Sequence, residues 1–185
     1  MFNPQGPNEG FYFTDDHIRH MIETDSHDGI FGAKVMFDQV VSYIGTRSFN
    51  RMFHHSRFVF IRRQDKVEQA ISLSRAMQTG SWMGTQEPTI VPEYKFWHIL
   101  TCQYLIYMQE RGWTRFFEEY KVPHITVWYE DLQQNPDEQL NIVTSYILST
   151  KTSLSAVTDM KIQRDSLTEM WKEQFSKDLT EKIKI

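Results

Sequence analysis

An α/β fold, built on a short and mainly parallel sheet flanked by helices, is what this sequence predicts. Three observations carry it. Apolar, strand-like runs occur near residues 30–37, 57–62 and 123–129. Longer stretches between and after them repeat apolar residues every three to four positions, the spacing of a helix face. The middle run passes directly into a helix-start signal, giving a strand, turn and helix in succession.

Taken in order, residues 1–10 (MFNPQGPNEG) are rich in Pro, Gly and Asn and read as loop. Thr14, ahead of Asp15 and Asp16, is placed as a helix N-cap with an acidic first turn. That helix runs to about Thr24, with Ile18, Met21 and Ile22 on one face. His17 and His20 stand one turn apart on it. They lack a third ligand nearby and read as surface histidines. Asp28-Gly29 marks a turn, and Ile30–Phe37 the first strand, whose apolar run Lys34 interrupts. Such a lysine is either an edge-strand charge that discourages pairing or a charge aimed at a ligand. Short helices follow over 39–44 and 47–55.

Phe58-Val59-Phe60-Ile61 is the middle strand, and Arg62 and Arg63 sit where it ends. Asp65, with Glu68 three residues on, reads as a capping box. The helix behind it carries Val67, Ala70, Ile71, Leu73 and Met77 and stops near Gly80. Residues 84–92 form a loop. Pro92 suits the first turn of a helix reaching about Tyr120, with Gly112 as a kink or an interruption. The aromatic row of that helix, Trp113 and Tyr120 included, reads as core packing rather than as a sugar platform. Pro123–Tyr129 is the last strand. Asn135-Pro136 opens a helix to about Leu148, with Leu140, Val143 and Ile147 inward. Ser149–Thr158 is a polar linker, and Gln163 begins a final amphipathic helix with Leu167, Met170, Trp171 and Phe175.

The 185 residues suit one domain, residues 1–185, and 40% hydrophobic residues are enough for a sizeable core. A net charge of -4 argues against general nucleic-acid binding. One cysteine, Cys102, forms no internal disulfide and fits a reducing, cytoplasmic setting. No apolar stretch is long enough to span a membrane, and no secretory leader is apparent.

The chemistry concentrates at Arg62 and Arg63. Ligands of open α/β sheets sit outside the carboxyl ends of strands. Two guanidiniums there, above the orphan N–H groups of a helix start, suit a phosphate. A solvated strand end, or an ion pair with Asp65, is the other reading of the same residues.

The run from Arg62 to Trp82 resembles R-R-x-D-x-x-x-Q-A-[VI]-S-x-x-R-A-x-Q-T-x-x-W, found in bacterial trehalose 2-sulfotransferase-like (lipopolysaccharide sulfotransferase) proteins. Arg62, Arg63, Asp65, Gln69, Ala70, Ile71, Ser72, Arg75, Ala76, Gln78, Thr79 and Trp82 stand at matching places. Gly29–Gln39 is similar to that family's G-x-[FW]-G-x-K-[LV]-M-[WF]-x-Q segment. Val127-Trp128-Tyr129-Glu130-Asp131-Leu132 resembles the [VI]-x-Y-E-D-L run of many sulfotransferases, an architectural element that closes a strand and anchors a turn. Gln163, Asp165, Thr168, Trp171 and Phe175 match the family's C-terminal segment, beside which Arg164 is a further cation.

The resemblance implies a P-loop-NTPase-like sulfotransferase fold and a sulfuryl transfer from 3'-phosphoadenosine 5'-phosphosulfate (PAPS) to a carbohydrate or glycolipid hydroxyl. It implies that Ser72 and one arginine, Arg63 or Arg62, bind the cofactor's 3'-phosphate. Phe2, Asn3 and Lys34 are the acceptor-binding candidates it offers. The family's first strand, its R-[ST]-G-[ST]-[ST] phosphosulfate loop and its catalytic Glu have no counterpart here. Gly45-Thr46-Arg47-Ser48 follows no strand, and Glu9 is not at the motif position. The likeness therefore covers about the last three-quarters of a sulfotransferase. Either this is a truncated sulfotransferase or a non-catalytic protein that binds a nucleotide or partner. A missing strand would leave sheet edges open to pairing with a second copy.

Overall fold

Helix α1 (Asp15–Asp25) is the first element of the computed structural model, which describes residues 15–82, 90–157 and 165–183. The Thr14 cap, Phe2, Asn3, Glu9, Gln163, Arg164 and most of the 84–92 loop lie outside the described residues. By its internal contacts the chain divides into two units. One holds residues up to Phe58 together with 109–123. The other holds 59–108 and everything from His124 on.

In the first unit, α1 is followed by a tight turn at Asp28-Gly29. Both residues take positive φ (51° and 77°), and His27 and Ile30 exchange backbone hydrogen bonds across it. Asp-Gly suits such a turn because both central residues must enter the left-handed region. The strand expected over 30–37 does not form. Beyond Ile30 the chain has no ladder partner among the described residues, and the Met36 N–H is taken by the Gln39 side chain at 3.0 Å. That bond commits the chain to helix α2 (Phe37–Gln39), which continues as a π-helical turn over Val40–Ile44. Gly45 then joins it to α3 (Thr46–Phe53), so Gly45-Thr46-Arg47-Ser48 indeed follows no strand.

Phe49, Phe58, Phe116 and Phe117 form an aromatic core with Trp113, at ring separations of 5.6 to 6.1 Å. Trp113 and Tyr120 thus pack among rings, as their place on the helix suggested. Gly112 does not interrupt its helix, which runs unbroken over Phe96–Tyr120. It makes room: a Cβ there would lie 2.2 Å from Cδ1 of Phe37.

The second unit begins in β1 (Phe58–Arg62), which pairs with β2 (His124–Trp128) as a two-stranded sheet. Their carboxyl ends lie together, because Gln64 beyond β1 bonds to Glu130 beyond β2. The strands therefore run parallel, joined through α4 (Lys66–Thr79) and α5 (Phe96–Tyr120), the latter running on into the first unit. Asp65 caps α4, and Gly80 ends it in the left-handed region at φ 69°.

Helix α5 starts later than Pro92 would place it. Gln78 holds the Glu93 backbone from both sides, its Oε1 accepting the N–H at 2.9 Å and its Nε2 donating to the carbonyl at 3.1 Å. That pairing uses the groups a helical turn would need. Two further helices, α6 (Tyr129–Gln134) and α7 (Pro136–Leu148, proline in its first turn), pack on β2. Leu140 and Val143 are half-buried, whereas Ile147 is exposed. The linker beyond is tied back to α7, where Asn141 grips both backbone groups of Leu154.

Helix α8 (Ser166–Lys182) closes the unit. Ala70 and Ile71 of α4, Phe96, Ile99, Cys102 and Ile106 of α5, and Trp171 and Phe175 of α8 form one buried core. Among the described residues no helix is long and apolar enough to cross a membrane.

Gly112→Ala is expected to destabilise the protein by about 1–3 kcal/mol through overpacking against Phe37. Adding Phe37→Ala should make the second substitution neutral or better, since alanine is the stronger helix former. Equal effects in both backgrounds, read in a double-mutant cycle of thermal melts, would remove this role for Gly112.

Candidate functional site

The parallel pairing of β1 and β2 sets Arg63-Gln64-Asp65 beside Tyr129-Glu130. Successive residues of an extended chain point to opposite sides. The two arginines accordingly diverge. The Arg62 guanidinium lies over Trp128 at 4.9 Å and over Phe60 at 5.4 Å. That of Arg63 lies 4.5 Å over the Tyr129 ring and pairs with Glu68. The Arg63 and Glu68 side chains are only 17% and 9% exposed, so this pair is shielded from solvent. The Arg63 Nε is buried and finds no hydrogen-bond partner among the described residues.

The ion pair anticipated at this corner exists with different partners. Asp65 pairs with Lys172 of α8, and Arg63 with Glu68. The capping box is only half made. Asp65 accepts the Glu68 N–H at 2.9 Å, but Glu68 turns to Arg63 instead of returning to Asp65. Glu130 takes over that duty. Its carboxylate accepts the Gln64 N–H at 2.9 and 3.0 Å and the Asp65 N–H at 3.2 Å. The N–H groups of Gln64, Asp65 and Glu68 are thus filled by the protein's own carboxylates. An anion at these three positions would have to be held by side chains.

Ser72 stands one turn beyond Glu68 on the same face of α4, about 6 Å along the axis at the helical rise. It is half-buried, and no side-chain hydrogen bond of its hydroxyl is found among the described residues. Arg63 pairs with Glu68, and Ser72 follows Glu68 by one turn on α4. Lys34 is exposed in the 31–36 stretch of the other unit. Phe2 and Asn3 lie outside the described residues. Among the described residues no cluster of ligands could hold a metal ion.

The electrostatics follow the contacts. Burial pushes the Glu130 carboxyl upward, but N–H groups of Gln64, Glu130 and Asp65 together with Arg63 outweigh it and hold the group below its usual range. Asp65 is likewise held low, its burial outweighed by the Glu68 N–H, by Lys172 and by Arg63. Further along the same face of α4, Arg75 grips Asp165 with two bonds of 2.8 Å and reaches Thr168 at 2.7 Å. Asp165 also caps α8 through the Thr168 N–H. The Arg75 bonds are the main reason its pKa falls to about 2.

The sequence profile of the Stf0 sulphotransferase family matches residues 15–178. The chain belongs to the Stf0 sulphotransferase family. Over 122 residues it is 31% identical to the trehalose 2-sulfotransferase of Mycolicibacterium smegmatis (strain ATCC 700084 / mc(2)155), covering 65% of this chain and 45% of that protein. The aligned part is thus less than half the length of that relative.

Within this Stf0 sulphotransferase chain, several motif residues turn out to hold the fold. Arg75 and Asp165 join α4 to α8, and Gln78 fixes the approach to α5. Sequence reasoning missed Tyr129 as a neighbour of Arg63 and Lys172 as the partner of Asp65, and assigned Glu68 to a cap. One signal was available for Tyr129: it follows a strand predicted to lie parallel to β1, so its place beside Arg63 follows from the carboxyl-end rule.

Asp165 is depressed in the folded state, so its contribution is full above its ordinary value of 3.8 and is lost as pH falls through about 2. Because its side chain is 45% exposed, the contribution should be only about 1 kcal/mol after screening. Denaturant melts of parent and Asp165→Asn should differ by that much at pH 5–7 and converge between pH 4 and 2. A gap independent of pH would refute the Arg75 clamp as its source.

Proposed function

We propose that these residues form the nucleotide-anchoring part of a PAPS-dependent sulfotransferase site. In this reading Arg63 and Ser72 grip the 3'-phosphate of PAPS, and the sulfuryl group passes to a carbohydrate or glycolipid hydroxyl. The observation that carries it is the placement of Arg63 at the carboxyl end of β1, paired with Glu68 one turn before Ser72 on α4, in a chain of this family. The groups suit a phosphate. A guanidinium has five N–H donors in a fixed fork, one of which here is a buried Nε without a partner among the described residues. A serine hydroxyl adds a donor one turn beyond Glu68. When bound, PAPS supplies an activated sulfuryl group on its 5'-phosphate.

Transfer also needs an in-line hydroxyl, a base and donors at the sulfonate oxygens. The reading leaves those unassigned. The sugar acceptor is inferred from the name of the mycobacterial relative. A cytoplasmic setting is inferred from a single buried cysteine, Cys102. Self-association belongs to the reading because a two-stranded sheet has open edges. A second reading, nucleotide binding without transfer, uses the same anchor.

Calorimetry with adenosine 3',5'-bisphosphate tests the anchor. Arg63→Ala should weaken binding about 10- to 100-fold, the worth of a charged hydrogen bond, and Ser72→Ala about 3- to 10-fold. Affinity unchanged in both variants removes the assignment. Turnover of labelled PAPS with trehalose then separates the readings: sulfated sugar supports transfer, and binding without product supports the second.

A further inference from the structure

We propose that Tyr129 and Glu130 are positioning residues for Arg63, acting together from the end of β2. The inference rests on the reading that Arg63 binds a phosphate. The Tyr129 ring supports one face of the guanidinium at 4.5 Å. Glu130 fastens the two backbone N–H groups that follow Arg63, with both its oxygens on Gln64 and one on Asp65. Glu68 takes one edge of the fork. The guanidinium is thereby held by a face, an edge and its own backbone, which leaves its remaining edge to present donors to a ligand.

The arrangement also takes three N–H groups away from a competing mode of binding. The Glu130 and Asp65 carboxylates occupy backbone N–H groups that would otherwise attract an anion to the turn or the helix end. A phosphate is directed to the side chain of Arg63 instead. Tyr129 is itself steadied, since its hydroxyl accepts a bond from Gln133 at 2.7 Å. Tyr129→Phe loses that bond and keeps the ring.

The test uses the full chain, adenosine 3',5'-bisphosphate as probe and the Nε–H resonance of Arg63, assigned by its loss in Arg63→Ala. Tyr129→Leu should weaken binding about fivefold, within the range of a lost cation–π contact. Glu130→Gln should weaken it about tenfold, and Glu130→Asp should recover part of that. Tyr129→Phe should stay within about twofold of the parent. The Nε–H resonance should shift in Tyr129→Leu and Glu130→Gln but not in Tyr129→Phe. A purely structural role would lower melting temperatures without moving that resonance. Parent-like affinity and an unmoved resonance in Tyr129→Leu overturn the proposal. If Arg63→Ala leaves affinity unchanged, the phosphate reading fails by itself, and the resonance alone decides whether Tyr129 and Glu130 position the guanidinium. If Glu130→Gln does not fold, the contrast between Tyr129→Leu and Tyr129→Phe decides.

Discussion

Gln64 and Asp65 carry two backbone N–H groups at the turn between β1 and α4, and both end on the carboxylate of Glu130. The path of the chain out of β1 therefore depends on a residue some sixty-five positions away. The same short segment supplies Tyr129, so the end of β2 governs both the backbone and the side chain at the end of β1. Parallel pairing is what makes this possible, because it brings the two carboxyl ends to one edge of the sheet.

The corner so formed is nearly balanced in charge. Asp65, Glu68 and Glu130 face Arg63 and Lys172, with Arg62 over Trp128 close by. In a chain of net charge -4, attraction of an anion would not come from a broad positive field. It would come from directed donors on a held guanidinium, which is the more selective device. Balance also keeps the buried arginine from standing uncompensated, a state far more costly than the pair it now makes with Glu68.

Helix α8 completes the unit from the opposite side. Lys172 meets Asp65 near the start of α4, and Asp165 meets Arg75 near its end, so the two helices run antiparallel. Trp171 lies between these contacts and Phe175 just beyond Lys172, in one buried core with Ile71 and Ile99. Apolar burial supplies the adhesion and the two ion pairs set the register. Several residues that mark the Stf0 family in this chain thus serve the frame on which Arg63 and Ser72 stand, while Lys34 belongs to a separate unit built on aromatic rings.

Local signals sufficed wherever the structure is local. The run Phe58–Ile61, the Asp65 cap, the stop at Gly80, the turn at Asp28-Gly29 and the proline start of α7 were legible because each depends on the conformational preferences of a few adjacent residues. The family motif likewise pointed to Arg62, Arg63 and Ser72 from residue order alone. What the order of residues left open was every question of partnership. Residues 30–37 have a strand's composition but no neighbouring strand among the described residues, and Gly112 looked like an interruption until Phe37 was found against it. Which carboxylate meets Arg63, and which fills the N–H groups of the turn, was decided by the juxtaposition of β1, β2, α4 and α8. Hydrogen bonds and ion pairs act over about 3 Å in space, whatever the separation along the chain, so only the tertiary structure could assign them.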